Sequence, residues 1–569
     1  MTSTWGTLIS PEMLVERDVS VPMRDGVVLR ADVYRPDGDR PGPAVVTRTP
    51  YDKGRPMTPL AALDPERAVE AGLALICQDT RGRHASDGTF YPFRYERLDG
   101  YDTIEWTAAQ PWCIGQVTMA GRSYGGASQW AAALEQPPHL KAICPMLSGG
   151  ENYDGWVYQG GAFELGFNLF WAHLLVASRK SSRPAEQYGH LPLRTLPLLE
   201  EYPSASFFTD WLDHPTDDAF WQRWALAGKY ARVRVPAFIV GGWFDLFLGN
   251  TLNTFVGARR ESGSELTRRR HRLLIGPWGH GSIYGVYPDH SFEGFSSDET
   301  VDLTEMQLRF IQECLSDAPT EADPGPPVRI FVMGENLWRS ESDWPLPRTR
   351  YTPWFLHSAG DAGQTGGELS LAAPTEEPPD TYTYDPADPA PTVGGPASLP
   401  GVLFASSFGP SDQQRVEARP DVLVYTSAPL QEAVEATGPL RVILYAATTA
   451  PDTDFVGKLT DVAPSGASRI LAEGMMRTSF REGFDRQVPV EAERVYPYTI
   501  DLVATSHVFL PGHRIRVDIT SSSFPRFDRN PNTGHAIGTD GVADLEVARQ
   551  TIFHDHDRPS HIVLPVIPR

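Results

Sequence analysis

The chain has 569 residues, of which 41% are hydrophobic and 21% charged, a composition typical of globular proteins and a length that suits about three or four domains. Its formal net charge of −22, without a basic patch, argues against nucleic acid or an anionic membrane as partner. The longest apolar stretches fall well short of the roughly 18 residues that a membrane-spanning helix needs. The N-terminus lacks a signal-peptide pattern and the four cysteines lack metal-ligand spacing, so we expect a cytoplasmic protein with free thiols.

The first 150 residues alternate strand-length apolar runs with helix-like segments. Strands are predicted over Val27–Tyr34, Ala44–Thr47, Leu73–Cys77 and Gln116–Ala120. Helices are predicted around Ala61–Ala71 and Tyr101–Ala109. This alternation predicts a mixed or parallel sheet covered by helices, an α/β core.

A change of composition follows residue 150. Large aromatic residues are frequent from about 151 to 231 and strand periodicity is missing, which predicts helices inserted as a cap. The α/β pattern then resumes, with predicted strands Val235–Gly241, Arg272–Gly276 and Val328–Gly334 and a helix over Leu303–Leu315. We therefore expect a core built from residues 1–150 and 232–350, with a cap over 151–231.

Beyond residue 351 the helical signal nearly vanishes. Short β-rich runs between turn signals predict an all-β sandwich over residues 351–569. Within it, the Pro- and Gly-dense stretch Ala372–Pro400 is predicted to be an ordered surface crossover. His554 and His556 alternate as if on one face of a strand, but no third ligand accompanies them, so we predict neither a metal site nor a cofactor.

The run Gly121–Gly125, with the sequence Gly-Arg-Ser-Tyr-Gly, lies between the predicted strand Gln116–Ala120 and the helix-compatible run Gly126–Leu134. Glycines two positions either side of a serine allow a tight strand-to-helix turn that projects the hydroxyl above the sheet. The pentapeptide alone is a weak signal, since about 0.3 copies are expected by chance in a chain of this length. Its position between strand and helix makes Ser123 the predicted nucleophile.

A serine nucleophile needs a general base and a carboxylate that orients the base. Asp245 follows the predicted strand Val235–Gly241, and His280 follows Arg272–Gly276. The chain order Ser123, Asp245, His280 is that of α/β-hydrolases, unlike the orders of chymotrypsin or subtilisin. These three residues are the predicted catalytic triad.

The reaction also needs hydrogen-bond donors for the developing oxyanion. The backbone N–H of Tyr124, directly after the nucleophile, is one candidate. The second is the hydroxyl of Tyr51, in the loop that follows the predicted strand Ala44–Thr47.

Several motifs in one order make the chain similar to a known group. They are Thr49–Lys53, Asp79–Gly82, Asp99–Asp102, Gln110–Trp112, Gly121–Gly126, Gly242–Asp245 and Gly276–His280. Over nearly its whole length the chain resembles the cocaine esterase and X-Pro dipeptidyl-peptidase group of serine hydrolases. The resemblance implies an α/β-hydrolase core, a helical cap inserted after the strand that follows Ser123, and a C-terminal jelly-roll domain closing one side of the pocket. It also implies that Tyr51 and Tyr124 form the oxyanion hole.

The residues after Asp245 bear on the substrate. In the branch that hydrolyses α-amino acid esters, carboxylates two and three positions after this aspartate bind the substrate ammonium. Here these positions hold Phe247 and Leu248, which disfavours a bound ammonium because it would lose water without a counter-charge. An aromatic residue at the first position resembles the cocaine esterase branch, where it contacts the acyl group. The predicted apolar pocket adds Trp156, Trp171, Leu403 and Phe404.

The sequence thus predicts a serine hydrolase that cleaves small ester or activated amide substrates with aromatic or apolar acyl groups. The alternatives with the same triad are an X-Pro dipeptidyl-peptidase, an α-amino acid ester hydrolase and a β-lactam-type acylase. The acids Glu151 and Asp154 in the predicted cap are compatible with the peptidase, although the simpler interpretation is that they are solvated surface residues. A ligand-binding protein with a degenerate hydrolase core is the non-enzymatic alternative. The assembly state stays open, a homodimer included.

Overall fold

The computed structural model of the protein describes residues 13–38, 40–177, 183–292, 294, 296, 301–316, 325–397, 399 and 408–568. The strands of the first half are β1 (Met13–Pro22), β2 (Val28–Pro36), β3 (Gly42–Thr49), β4 (Ala74–Asp79), β5 (Cys113–Arg122), β6 (Leu140–Met146), β7 (Tyr158–Gln159), β8 (Ala162–Phe163), β9 (Phe238–Phe244), β10 (Arg272–Gly279), β11 (Val286–Tyr287), β12 (His290–Ser291), β13 (Val328–Val332) and β14 (Leu337–Glu341). The later strands are β15 (Arg350–His357), β16 (Gly367–Ser370), β17 (Asp380–Tyr384), β18 (Leu423–Thr426), β19 (Val434–Thr448), β20 (Asp454–Val462), β21 (Ser468–Arg477), β22 (Tyr496–Phe509), β23 (Arg514–Thr520), β24 (Ala548–Phe553) and β25 (His561–Val566). The α-helices are α1 (Met57–Leu60), α2 (Pro65–Glu70), α3 (Glu96–Ala108), α4 (Tyr124–Leu134), α5 (Leu165–Val176), α6 (Pro184–Gln187), α7 (Pro197–Glu201), α8 (Ser206–Asp213), α9 (Ala219–Gln222), α10 (Leu248–Glu261), α11 (Glu265–Arg270), α12 (Leu303–Leu315) and α13 (Gln414–Glu417).

The first sheet has the strand order β1-β2-β4-β3-β5-β6-β9-β10-β13-β14. Neighbouring strands from β4 to β13 run parallel, whereas the outer pairs β1–β2, β2–β4 and β13–β14 are antiparallel. Every residue of β4 and β9 is buried, as expected where helices cover both faces of a parallel sheet. The predicted α/β core is confirmed, and the loops after β5, β9 and β10 meet at one edge of it.

One predicted helix of this core is wrong in detail. In place of a continuous helix over Ala61–Ala71, the chain forms α1 and then α2. The side chain of Asp64 accepts hydrogen bonds from the backbone N–H groups of Glu66 and Arg67, and Pro65 occupies the first helical position. An Asp-Pro pair is a strong helix start, so a new helix begins here.

Helices α5 to α9 lie between β8 and β9, as the aromatic-rich composition predicts. Their buried side chains form one cluster with residues of the sheet's loops, among them Tyr124 and Phe247. Its tryptophans are Trp156, Trp171, Trp211 and Trp221. The helical insertion therefore covers the edge of the sheet that carries the loops after β5 and β9.

The second sheet is all-β, with the order β17-β24-β19-β25-β15-β16-β18-β23-β20-β21 and β22 paired to β19. The predicted C-terminal β domain is confirmed. The interpretation of Ala372–Pro400 as a surface crossover is wrong, because its residues Asp380–Tyr384 form β17 and pair with β24. Asp380, Tyr382 and Tyr384 alternate toward the buried face, a period of two that the surrounding prolines conceal.

The histidine pair near the C-terminus is not on a strand, since β24 ends at Phe553. His554 is buried between Glu377 and Asp380, with ring nitrogens 3.1 and 2.9 Å from their carboxylate oxygens. Over the described ranges, no group of three or more His, Cys, Asp or Glu side chains is arranged to hold a metal ion. Nor does any helix within those ranges have the length and apolar character needed to cross a bilayer. All four cysteines are free thiols.

Candidate active site

Ser123 lies at the sharp turn between β5 and α4. Its backbone has φ 58° and ψ −120°, a positive-φ conformation that is costly for a residue with a side chain and recurs at functional sites. The turn is held by a 2.9 Å hydrogen bond from the Ser123 N–H to the carbonyl of Met146. A Cβ atom on Gly121 would lie 3.0 Å from the carbonyl oxygen of Gly125, so the close passage of the chain around Ser123 requires a glycine there.

The structure brings the three predicted triad side chains together. His280, directly after β10, has Nε2 3.1 Å from Ser123 Oγ and Nδ1 2.8 Å from Asp245 Oδ1. Asp245, directly after β9, is 1% exposed. An Nδ1–H donated to a carboxylate leaves the lone pair of Nε2 free to accept the serine proton. The arrangement can therefore deprotonate Ser123 as it attacks a carbonyl carbon.

Tyr51 places its hydroxyl beside the nucleophile. The hydroxyl accepts a 2.9 Å hydrogen bond from the indole Nε1–H of Trp171, and the nearby Ser123 side chain acts to lower the pKa of Tyr51. Burial raises the pKa of Tyr51 to about 12. The phenol therefore keeps its proton at neutral pH and can donate it to a developing oxyanion.

Tyr124 is the first residue of α4, and its backbone N–H belongs to the helical turn whose donors have no partner within the helix. The positive end of the helix dipole adds to this donor. Its side chain is anchored below the site, since the hydroxyl donates to Glu96 Oε1 at 2.8 Å and accepts from the Phe93 N–H at 3.1 Å. Arg48 in turn pairs with Glu96, so hydrogen bonds and an ion pair hold the side chain of this second predicted oxyanion donor in place.

Of the predicted pocket residues, the structure places Phe247 directly against the triad, with Trp156 behind it. Phe247 is fully buried, with its ring edge-on to His280 at a centroid distance of 5.0 Å. It stacks on Trp156 at 4.1 Å. Leu403 and Phe404 lie outside the described residues.

Two aromatic residues near the site escaped sequence reasoning. Phe167 stacks on Trp171 at 5.8 Å and lies 6.2 Å from the His280 ring. It precedes Trp171 by four residues on α5, and this spacing, which puts two side chains on one helix face, could have indicated it. Phe408 packs against Gly279, whose Cβ would lie 2.6 Å from the Phe408 ring, and no local pattern marks this contact.

The side chain of Glu151, one of the two cap acids compatible with a peptidase, accepts a hydrogen bond from the backbone. It accepts a 2.6 Å hydrogen bond from the Ala227 N–H. Burial raises the pKa of Glu151 to about 7. Glu151 is thus a half-buried acid held by the backbone, whereas Asp154 is exposed, as the surface interpretation expects.

Comparison with known proteins shows which family the chain belongs to. Residues 25–282 match the family described as X-Pro dipeptidyl-peptidase (S15 family), and residues 320–563 match the X-Pro dipeptidyl-peptidase C-terminal non-catalytic domain. The chain is 39% identical to cocaine esterase of Rhodococcus sp. (strain MB1 Bresler), over 98% of this chain and 99% of that protein.

Two similar solved structures share the whole architecture. An aminopeptidase from the marine sediment archaeon Thaumarchaeota archaeon is 27% identical with a TM-score of 0.83, covering 100% of this chain and 99% of that one. An α-amino acid ester hydrolase is 26% identical with a TM-score of 0.82, covering 99% and 98% of the two chains. Fold and family together define a serine hydrolase with an α/β-hydrolase core. The chain belongs to the S15 family, together with cocaine esterase.

Proposed function

We propose that the protein is a carboxylesterase that works through an acyl-enzyme on Ser123. Ser123 Oγ attacks the carbonyl carbon of the ester while its proton passes to His280 Nε2, and Asp245 stabilises the imidazolium. The proposal depends chiefly on the paired distances at His280, 3.1 Å to Ser123 and 2.8 Å to Asp245.

The remaining steps use the same groups. The Tyr51 hydroxyl and the Tyr124 backbone N–H donate to the carbonyl oxygen as it becomes negative. The tetrahedral intermediate collapses, the bond to the leaving alkoxide breaks, and His280 returns the proton to that oxygen. Water then attacks the acyl-enzyme with His280 as base, which releases the acid and restores Ser123.

We propose that the acyl group of the substrate is apolar and aromatic. Phe247 contacts both His280 and Trp156 with its ring, and Leu248 beside it is 3% exposed. An ammonium group at this wall would be desolvated without a counter-charge from either residue, which costs several kcal/mol. This supports an ester of an aromatic acid over the α-amino acyl substrates named for the structural relatives.

The experiment combines a covalent probe with two substrates. A fluorophosphonate should form a bond from phosphorus to Ser123 Oγ with loss of fluoride, which intact-mass and peptide analysis detect. With the unlabelled enzyme, kcat/KM for p-nitrophenyl benzoate should exceed that for glycyl-prolyl-p-nitroanilide by at least about 100-fold. Folded protein that the probe does not label would contradict the enzymatic assignment, and preference for the anilide would establish the peptidase instead.

A variant of Phe247 tests the acyl specificity. Phe247→Leu should lower kcat/KM for p-nitrophenyl benzoate about 10-fold more than for p-nitrophenyl acetate, because the wall against the aromatic ring is lost. Phe255→Leu is the matched control, since Phe255 is also fully buried and lies on α10, the helix that Phe247 directly precedes. An equal loss for both esters in Phe247→Leu would show that Phe247 supports the fold and not the acyl group.

A further inference from the structure

The hydroxyl of Tyr51 receives a hydrogen bond from the cap. Trp171, in the middle of α5, is 1% exposed, and its Nε1–H lies 2.9 Å from the Tyr51 hydroxyl oxygen. An indole N–H can only donate. The Tyr51 oxygen is therefore the acceptor in this bond, and its own hydrogen must point elsewhere.

The direction left for that hydrogen is the side of the nucleophile. A phenol oxygen donates a single proton, and the Ser123 side chain also lies close enough to this hydroxyl to lower the pKa of Tyr51. When Ser123 attacks, the oxyanion forms on this side. Donation from Trp171 also polarises the Tyr51 O–H bond, because a hydrogen bond accepted by a hydroxyl strengthens the one it donates.

A second contact ties the loop of Tyr51 to the same helix. Arg83 donates from Nε to the carbonyl of Pro50 at 2.9 Å and from Nη1 to the carbonyl of Leu175. Pro50 directly precedes Tyr51, and Leu175 lies in the last turn of α5. The guanidinium thus bridges the oxyanion loop to the end of the helix whose middle contributes Trp171.

We propose that Trp171 and Arg83 are positioning residues through which the cap orients the Tyr51 hydroxyl proton toward the oxyanion. The proposal rests on the proposed function, in which Tyr51 is an oxyanion donor. According to this proposal, Trp171 affects the rate of the chemical steps, whether or not it also forms part of the pocket wall.

A double-mutant cycle tests the proposal with p-nitrophenyl benzoate. Trp171→Phe keeps an aromatic ring and removes the N–H, and should lower kcat roughly 5–10-fold with KM changed less than about twofold. Tyr51→Phe should lower kcat roughly 10²–10³-fold. In the Tyr51→Phe background, adding Trp171→Phe should change kcat less than about twofold, since the hydroxyl that Trp171 orients is gone.

Trp211→Phe is the matched control, because Trp211 stacks on Trp171 at 5.6 Å in the same cluster; it should leave kcat within about twofold of wild type. If Trp171→Phe fails to fold, Arg83→Gln replaces it in the cycle, with the same expected loss of coupling in the Tyr51→Phe background. Equal effects of Trp171→Phe in both backgrounds, or an effect on KM alone, would overturn the proposal and leave the proposed function intact. Full activity of Tyr51→Phe would show that Tyr51 is not an oxyanion donor. The proposed function would then lose this donor, and the proposal for Trp171 and Arg83 would be overturned.

Discussion

The two ends of strand β10 each carry a serine–histidine pair. At the carboxyl end, His280 Nε2 lies 3.1 Å from Ser123 Oγ. Before the first residue of the strand, His271 Nε2 lies 2.9 Å from Ser262 Oγ. By distance alone the second pair is the closer one.

The opposite nitrogen of each ring distinguishes the pairs. His271 Nδ1 accepts the backbone N–H of Ala237 at 3.1 Å, so the ring proton must be on Nε2 and is donated to Ser262. Burial lowers the pKa of His271 to about 3. His280 instead has the Asp245 carboxylate at Nδ1, which puts the proton there and leaves Nε2 as acceptor. A serine–histidine contact is therefore a catalytic candidate only where a carboxylate selects the tautomer.

The largest effect is expected at Ser123. Ser123→Ala should lower kcat for p-nitrophenyl benzoate by at least about 10⁴-fold, because no nucleophile remains for the acyl-enzyme. Ser262→Ala is the control at the other end of β10 and should keep kcat within about twofold. Steady-state assays of both variants decide the matter, and substantial activity in a folded Ser123→Ala protein would refute the catalytic assignment.

The tautomer argument is tested at Asp245. Asp245→Asn leaves the shape of the site unchanged but removes the charge that holds the proton on His280 Nδ1, so kcat should fall by about 10³–10⁴-fold. The thermal unfolding midpoint, measured alongside kcat, shows whether the variant is folded. A loss below about tenfold in a folded variant would show that His280 does not depend on this carboxylate.

The Ser262–His271 pair, for which we predict no catalytic role, should contribute to the stability of the fold. Ser262→Ala leaves the buried Nε2–H of His271 without its acceptor, which should lower the free energy of unfolding by about 1–2 kcal/mol. Both residues are fully buried, so water cannot replace the lost partner. The shift of the thermal midpoint measures the effect, and an unchanged midpoint would mean that this hydrogen bond contributes little.

The smallest effect concerns pH. The folded pKa of His271, about 3, lies below its ordinary value of 6.5, so the unfolded chain takes up a proton between these values that the folded protein cannot. Stability is therefore lost as pH falls below about 6.5. From pH 7 to 5.5 the wild type should lose about 1 kcal/mol relative to His271→Gln, which keeps one donor and one acceptor. Thermal midpoints of both proteins across this range test the sign, and parallel curves would contradict it.

Much of the site was predictable from local pattern. The Gly-x-Ser-x-Gly turn between strand and helix marked Ser123, and two apolar strand-length runs ended just before Asp245 and His280. Such signals are local because a buried strand needs a continuous apolar run and a tight turn needs glycine. The α/β core and the all-β C-terminal region followed from the same kind of reading.

Other features arise only when distant segments pack. The bond between Trp171 and Tyr51 joins side chains 120 residues apart, and the bridge from Arg83 to Leu175 depends on where α5 lies on the sheet. No local periodicity reports such contacts, since they depend on the relative placement of whole elements. The same holds for the two serine–histidine pairs: the residues are visible in the chain, but the partner at each Nδ1, and with it the position of the ring proton, exists only in the folded protein.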